Sequence, residues 1–272
     1  MKGGGIQVLI KTNLFDSSAL KNITQRKGLF SVLEYERDAS ASPDAAQMAF
    51  FSSKMNVRKK QLIAQLDGKT GVSVQARAMQ MMIGDIEATT NVKGAKDLFK
   101  KMVSSAVTEE PIIKPHYTGD GILVLEPTYK HIILEDLKEW PKGIVIEDGM
   151  FLACEDGIDM ELSSRKTASS LLFGQEGFIN SAFYGEGVLA LESPVPREEL
   201  IEVELEDNVI KIDGNMAIAW SPNLKFTVEK SMGTLVGSAV SGEGLVNVYE
   251  GTGKVWVAPV RRNRGIGIPE NN

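Results

Sequence analysis

Thr118-Gly119-Asp120-Gly121-Ile122-Leu123-Val124-Leu125 is the first of three related copies in the chain, and this repetition is the strongest indication of its architecture. The second copy is Tyr184-Gly185-Glu186-Gly187-Val188-Leu189-Ala190-Leu191, and the third is Ser241-Gly242-Glu243-Gly244-Leu245-Val246-Asn247-Val248. Each copy is a Gly-acid-Gly tripeptide followed by an apolar run of residues that favour β-strands. We therefore predict that each Gly-acid-Gly copy forms a turn that leads into a strand.

The repetition extends upstream of the glycines. A methionine in a strand-like segment precedes each copy, at Met79, Met150 and Met216, and its distance from the second glycine shortens from copy to copy. Tandem duplication of a small β-domain leaves this pattern, because loops tolerate changes of length and strands do not. We predict an all-β fold, mainly β with short helical insertions, in three tandem units. The predicted segments are N-terminal extra strands and a loop at 1–58, a first β-sandwich unit with a helical insertion at 59–142, a second unit at 143–196, a third unit at 197–260, and a flexible tail at 261–272.

The composition is typical of a soluble globular protein. The 272 residues are 43% hydrophobic and 24% charged, which is enough for several compact units with cores of their own. The net charge of −6 disfavours a general nucleic-acid binder. A single cysteine, Cys154, excludes an intramolecular disulfide, so we expect a reducing, cytoplasmic compartment. No apolar run approaches the roughly 18 residues of a membrane-spanning helix, so any membrane contact is expected to be peripheral.

Local patterns predict the remaining elements. Residues 94–107 show helical spacing of apolar residues, and residues 38–44 have the proline and small polar residues of a loop. Predicted strands lie at 6–10, 29–35, 62–66, 144–146, 201–205, 209–212, 216–220, 224–228 and 245–249.

Three short glycine-bearing segments predict hairpins. They are Asp67-Gly68, Glu147-Asp148-Gly149 and Gly251-Thr252-Gly253, each between apolar runs. Gly68-Lys69-Thr70 resembles the end of a phosphate-binding loop. That motif requires an earlier glycine where Ile63 stands, so we interpret the segment as a turn.

The residues that most often carry catalysis or bind metals do not form a recognisable pattern. Met79, Met81 and Met82 are interpreted as core filling rather than as a copper site, because no histidine lies near them in the sequence. His116 and His131 form no metal-binding pair, and we predict that they lie on the surface or in loops. Cys154 lies in an apolar strand and is predicted to be a buried, inert thiol. We predict no catalytic residues, no cofactor and no metal.

Two segments remain of functional interest. An apolar insertion is a candidate interaction surface for a membrane or a partner, and burial in a subunit or inter-repeat interface is the favoured alternative. Its residues are Leu171, Leu172, Phe173, Phe178 and Ile179. The basic tail Arg261-Arg262-Asn263-Arg264 is interpreted as a flexible, solvated end rather than as a site for an anionic partner.

The chain resembles the altered-inheritance-of-mitochondria family over about residues 60–260. The resemblance rests on the three Gly-acid-Gly copies, on Leu171-Leu172-Phe173-Gly174-Gln175-Glu176-Gly177-Phe178, and on Gly251-Thr252-Gly253-Lys254-Val255-Trp256-Val257. It implies three TRAP-like units per chain, arranged with pseudo-threefold symmetry. A TRAP-like unit is a β-sandwich with the fold of the tryptophan RNA-binding attenuation protein, which is related to the double-stranded β-helix class. Three chains would then form a ring of nine units.

The resemblance also implies what the chain does not do. Most bacterial members of the family have no known function, and eukaryotic members are implicated in the organisation of the mitochondrial inner membrane. No catalytic activity or cofactor is established for the family. The RNA and tryptophan binding of the namesake fold is not carried over, because the chain has no matching motif.

Together these observations predict a non-enzymatic, oligomeric scaffold or interaction protein, a homotrimer that contacts membranes peripherally or binds a protein partner. The first alternative is a ring that binds a small ligand or nucleic acid at the interfaces between units. The second is an enzyme of unrecognised type.

Overall fold

The computed structural model of the chain describes residues 11–90, 114–164, 179–213, 216–230 and 245–260. The chain divides into two compact units and passes between them five times. Unit 1 comprises Met1–Asp136, Phe151–Ile158 and Glu186–Ser193, and unit 2 comprises Leu137–Met150, Asp159–Gly185 and Pro194–Asn272. The all-β prediction is confirmed, whereas the three tandem units are not. The strand at 6–10, the helix at 94–107 and the tail at 261–272 lie outside the described residues.

Strands dominate the described residues. In chain order the elements are β1 (Lys21–Lys27), β2 (Phe30–Tyr35), α1 (Ala46–Lys54), β3 (Lys60–Asp67), β4 (Val72–Val74), β5 (Met79–Thr90), β6 (Pro115–Leu125), β7 (His131–Asp136), a 3-10 turn (Leu137–Glu139), β8 (Ile144–Ile146), β9 (Phe151–Glu155), β10 (Ile158–Ser164), β11 (Ile179–Gly185), β12 (Val188–Ser193), a second 3-10 turn (Arg197–Glu199), β13 (Ile201–Asp213), β14 (Ala217–Trp220), β15 (Lys225–Lys230) and β16 (Leu245–Val257).

Unit 1 is built on one antiparallel sheet whose strands follow the order β1-β2-β3-β6-β4-β9-β12-β7, with β5 paired along β6. The sheet curls until its two ends meet. Gln25 on β1 donates a hydrogen bond from Nε2 to the carbonyl oxygen of Ile132 on β7, at 3.0 Å. The sheet of unit 1 is therefore barrel-like.

The first Gly-acid-Gly copy lies in the middle of β6, where it forms a corner rather than the predicted turn. The first residues of β6 pair with β4, and from Asp120 onward the same edge pairs with β3. Gly119 has a φ of +119°, and a Cβ atom on Gly119 or Gly121 would lie 2.0 or 2.2 Å from the carbonyl oxygen of Asp85 or Ile83 on β5. Glycine lets β6 bend at this corner while the backbone of β5 stays in close contact with it.

The curled sheet encloses an apolar core with side chains from most of its strands, because alternate residues of each strand point inward. The core members are Phe30, Val32, Leu62, Ala64, Leu66, Val72, Val74, Tyr117, Leu123, Leu125, Ile132, Leu134, Leu152, Ala153, Val188 and Ala190. A second cluster lies on the other side of β2, β3 and β6, where Leu14 and Phe15 pack against Leu33, Ile63 and Val124. Residues that precede β1 thus cover the outer face of the sheet.

Glu155, at the end of β9, joins three parts of unit 1. Its Oε1 accepts a hydrogen bond from the backbone N–H of Leu29 at 2.6 Å, and its Oε2 accepts one from the N–H of Val188 at 2.9 Å. Leu29 lies in the turn between β1 and β2, and Val188 begins β12. One carboxylate therefore connects strands that are distant in sequence.

Unit 2, like unit 1, contains a long bent strand that pairs with different strands along its length. Its sheet follows the order β10-β11-β8-β14-β16-β13, with β15 also paired to β16. The residues of β16 before Gly251 pair with β15, those from Val255 onward pair with β14, and β13 runs along the other edge. The core includes Trp220 and Tyr249, whose ring centroids are 5.6 Å apart. Gly251, with a φ of +126°, lies at the corner of this sheet, as Gly119 does in unit 1.

None of the three predicted hairpins forms, although all three lie within the described residues. The Asp67-Gly68 turn exists, but β3 and β4 on its two sides both pair with β6 and not with each other. At 147–149, β8 belongs to the sheet of unit 2 and β9 to the sheet of unit 1. At 251–253, β16 continues as one strand.

The other two Gly-acid-Gly copies have different outcomes. Gly185-Glu186-Gly187 forms the predicted turn and leads into β12, so this prediction is confirmed. In the third copy the glycines lie outside the described residues, and the predicted strand follows as β16 from Leu245.

The interpretation of Met79, Met81 and Met82 as core filling is wrong. Their side chains are 37%, 37% and 41% exposed. They lie on β5, an edge strand that pairs with β6 alone among the described strands and is exposed at most of its positions.

In the described part of the chain, no helix has the length and apolar composition needed to cross a bilayer.

Candidate functional site

Leu171, Leu172, Phe173 and Phe178 lie outside the described residues, and Ile179 is described only as the first backbone position of β11. Whether these residues form one surface therefore stays a prediction.

The structure places the cysteine and the two histidines apart from one another. Cys154 is 4% exposed, which confirms the prediction that its thiol is buried, and burial, with the charge of Asp156, raises the pKa of this thiol to about 12. His116 lies on β6 with its Nε2 2.8 Å from Oδ1 of Asp156, and His131 begins β7. Across the ranges that the structure describes, no three His, Cys, Asp or Glu side chains are arranged to hold a metal ion.

The feature that stands out is α1, which the sequence analysis missed. None of its nine residues is buried in the described structure, and four large apolar side chains in and just after it are open to solvent. Met48, Phe50, Phe51 and Met55 are 71%, 57%, 58% and 76% exposed. Contiguous exposed apolar side chains of this size mark interaction sites on soluble proteins.

The amphipathic pattern of α1 is inverted. Met48, Phe51 and Met55 have helical spacing of three and four residues and share the outer face, which we call the apolar face of α1. Ala46, Ala49 and Ser53 occupy the opposite face and line a pocket against the body of unit 1. Helices of soluble proteins ordinarily bury their large apolar side chains, so the apolar face of α1 is not explained by packing within unit 1.

Polar contacts hold α1 in place instead of an apolar interface. Ser53 donates a hydrogen bond from Oγ to the carbonyl oxygen of Glu36 at 2.5 Å, and Arg58 donates one from Nε to the carbonyl oxygen of Ser53 at 3.3 Å. NH1 of Arg58 lies 3.0 Å from a carboxylate oxygen of Glu34 and 2.8 Å from one of Glu36. Arg58 thus ties the C-terminal end of α1 to β2 and to the residue that follows it.

A second charged group holds the loop before α1. Asp38 accepts hydrogen bonds from Lys59, at 2.9 Å, from Ser40 and from the hydroxyl of Tyr129. Burial disfavours the charged form of Asp38, but these hydrogen bonds outweigh it and hold the pKa of its carboxyl well below the usual range. Burial, together with Asp38, raises the pKa of Tyr129 to about 12. At neutral pH the loop is therefore fixed by an ionised aspartate.

Between α1 and this loop lies a pocket of about 440 Å³, within the range of small-molecule sites. It is lined by Ala19, by residues 36–39 and Ala41, by one face of α1 and by Arg58. The apolar face of α1 and this pocket form the candidate functional site of unit 1.

The sequence contains one signal that could have revealed α1. Ala46-Gln47-Met48-Ala49-Phe50-Phe51 has no strand alternation, and alanine, glutamine and methionine favour helices. The helix has no side-chain cap at Ala45, so the usual signal for the start of a helix was missing.

A crystal structure of a protein from Streptococcus pyogenes is similar to the chain, with a TM-score of 0.53 and 23% sequence identity, and the alignment covers 75% of this chain and 89% of that one. This likeness supports the fold alone. None of the curated proteins compared with the chain is significantly similar to it. The sequence profile of the family described as Mitochondrial biogenesis AIM24 matches residues 53–260, and the chain therefore belongs to this family.

Proposed function

We propose that the chain is a non-enzymatic, oligomeric interaction protein that associates peripherally with membranes through the apolar face of α1. The observation that carries this proposal is the inverted pattern of α1, in which Met48, Phe51 and Met55 face solvent and small residues face the protein body. Phenylalanine and methionine side chains gain free energy when they leave water for the interfacial region of a bilayer. The burial and raised pKa of Cys154 support a role without thiol chemistry.

A lysine beside an exposed aromatic ring of α1 agrees with this proposal. Lys54 is exposed, and its Nζ lies 5.4 Å from the centroid of the Phe50 ring. A lysine beside an inserted aromatic ring can keep its ammonium group at the polar boundary while its methylene groups contact apolar surroundings. A short helix of this kind would lie on the membrane surface rather than cross it.

Replacing Met48, Phe51 and Met55 together with serine is expected to abolish co-flotation with phosphatidylcholine vesicles, with which the wild-type chain should float. Each side chain contributes up to about 1.5–3 kcal/mol when it is fully buried, so losing three should lower partitioning at least tenfold. The measurement is sedimentation or flotation of the purified full chain with vesicles. Circular dichroism should show an unchanged fold, because the three side chains are exposed.

The matched control replaces three other exposed apolar residues, Leu20, Ile201 and Val260, with serine, and this variant should float like the wild type. A wild-type chain that stays in solution would overturn the membrane proposal and leave α1 as a surface for a protein partner. Flotation of the α1 variant would show that another surface makes the contact.

We propose further that the chain is a homo-oligomer, with a trimer favoured. Support comes from two long edge strands, β5 and β13, which pair only with β6 and β16 among the described strands and are mostly exposed. Long unprotected edges are templates for pairing with another chain, and closure into an oligomer removes them. Native mass spectrometry should give three times the chain mass of 29.6 kDa, and a monomer would contradict the proposal.

A further inference from the structure

We propose that the pocket between α1 and the loop before it binds a small amphiphilic anion, with one carboxylate or phosphate head and a short apolar chain. This inference goes beyond the proposed function, since it requires neither a membrane nor an oligomer. It also differs from the expectation of a ligand at unit interfaces, because the pocket lies within unit 1.

The walls of the pocket suit the apolar part of such a ligand. They include five alanines and the ring of a phenylalanine, namely Ala19, Ala39, Ala41, Ala46, Ala49 and Phe50. Alanine side chains are too short to bridge from α1 to the facing loop, so the space of about 440 Å³ stays open between them. Apolar walls with a few polar groups at the edge are the usual lining of small-molecule sites.

The negative charges near the pocket are already compensated. Oε1 of Glu36 accepts a hydrogen bond from Nδ2 of Asn22 at 3.2 Å, and Oε2 of Glu36 pairs with Arg58. Asp38 accepts hydrogen bonds from Lys59 and Tyr129. These carboxylates are engaged with the protein, so they leave no strong site for a cation in the pocket.

Two positive charges in the lining are not compensated in this way. Among the described residues, the side chain of Arg37 makes no hydrogen bond or ion pair, and Lys54 contacts the Phe50 ring but no carboxylate. Both line the pocket, one from the loop and one from the end of α1. A cation on each side of an apolar cleft favours a ligand with an anionic head, which Arg37 can bind through two parallel N–H groups.

The test is isothermal titration calorimetry of the full chain with octanoate, octyl phosphate, 1-octanol and inorganic phosphate. Octanoate or octyl phosphate should bind with saturation, and the tighter of the two identifies the head group. Neutral 1-octanol should bind at least tenfold more weakly, and inorganic phosphate should not saturate because it lacks the apolar chain. Equal affinity for octanoate and octanol, or saturation by none of the four, would overturn the proposal.

Variants then localise the site. Arg37→Gln should raise the Kd of the tighter anion about tenfold, because it removes a charge-assisted hydrogen bond. Ala49→Leu should weaken binding at least tenfold by occupying part of the pocket while the fold is retained, since Ala49 lines open space. The exposed Lys69→Gln is the matched control and should bind like the wild type. Binding to Ala49→Leu with wild-type affinity would show that the ligand lies elsewhere.

The outcome is independent of the membrane proposal. Arg37→Gln and Ala49→Leu leave Met48, Phe51 and Met55 in place, so both variants should still float with phosphatidylcholine vesicles. Loss of octanoate binding with retained flotation would separate the pocket from the apolar face of α1.

Discussion

Replacing Gly119 with alanine should lower the free energy of unfolding of unit 1 by more than about 3 kcal/mol. A φ of +119° costs a residue with a Cβ atom about 1–2 kcal/mol. The new Cβ would also lie 2.0 Å from the carbonyl oxygen of Asp85, which real structures do not tolerate, so β5 would have to move away from β6. The change therefore breaks pairing along two long strands as well as straining one residue.

Gly68→Ala is the matched control for this prediction. Gly68 also has a positive φ, +75°, but the nearest atom to an added Cβ is 3.9 Å away. The free energy of unfolding of this variant should therefore fall only by the cost of the positive φ, about 1 kcal/mol. Equal destabilisation by the two changes would contradict the argument that close approach of β5 is what requires glycine at the corner.

The positions of the tryptophans help the measurement. Trp140, Trp220 and Trp256 all lie in unit 2, so tryptophan fluorescence reports on that unit, whereas far-UV circular dichroism reports on the strands of both. Urea unfolding of Gly119→Ala should shift the dichroism transition to lower urea. If the units unfold separately, the fluorescence transition should shift less.

Glu155→Ala is expected to destabilise unit 1 by about 3 kcal/mol, because it leaves the N–H groups of Leu29 and Val188 without their acceptor. Hydrogen bonds to a charged group contribute about 1.5–3 kcal/mol each, and solvent that reaches the site recovers part of that loss. Glu155→Gln keeps one acceptor oxygen but turns an amide donor toward one of the two N–H groups, so about half of the destabilisation should remain.

The control for Glu155 is Glu87→Ala, which removes an exposed carboxylate from β5 and should change the unfolding free energy by less than about 0.5 kcal/mol. Urea unfolding followed by circular dichroism measures all three variants. If Glu155→Ala were as stable as Glu87→Ala, the two hydrogen bonds at 2.6 and 2.9 Å would not contribute to the stability of unit 1.

The positions of the strands could be predicted from the sequence better than the pairing between them. The strands at 29–35, 62–66 and 245–249 were predictable from apolar residues and flanking breaks, and they form as β2, β3 and the start of β16. Turn chemistry at Asp67-Gly68 predicted a change of direction, which occurs, but not which strand pairs with the next. Pairing depends on contacts between residues far apart in the chain, and local turn residues carry no information about them.

The same limit explains the Gly-acid-Gly copies. Gly187 permits a turn, while Gly119 permits a corner within one strand, and the residue type is the same because both need a positive φ. What distinguishes them is β5, whose backbone lies against Gly119, and no local pattern around Gly119 indicates that neighbour.

The candidate site was largely hidden from the sequence for a related reason. Met48, Phe51 and Met55 face outward, but in the sequence they look like core residues. Hydrophobicity shows that a side chain favours burial, but it does not show which element, if any, buries it. For the same reason, Met79 and Met82 on β5 were wrongly predicted to lie in the core. The carboxylates that fix the loop before α1 find their cationic partners and Tyr129 only when β2, β3 and β7 are assembled.

The repeated passage of the chain between the two units has a consequence for synthesis on the ribosome. Unit 1 needs Phe151–Ile158 and Glu186–Ser193, which carry β9, β12 and Glu155, so its sheet cannot be completed until residue 193 has emerged. By then two segments of unit 2 have already been made. A gene fragment ending at Asp136 would therefore encode an unfinished sheet, and neither unit can be expressed as one uninterrupted piece of the polypeptide.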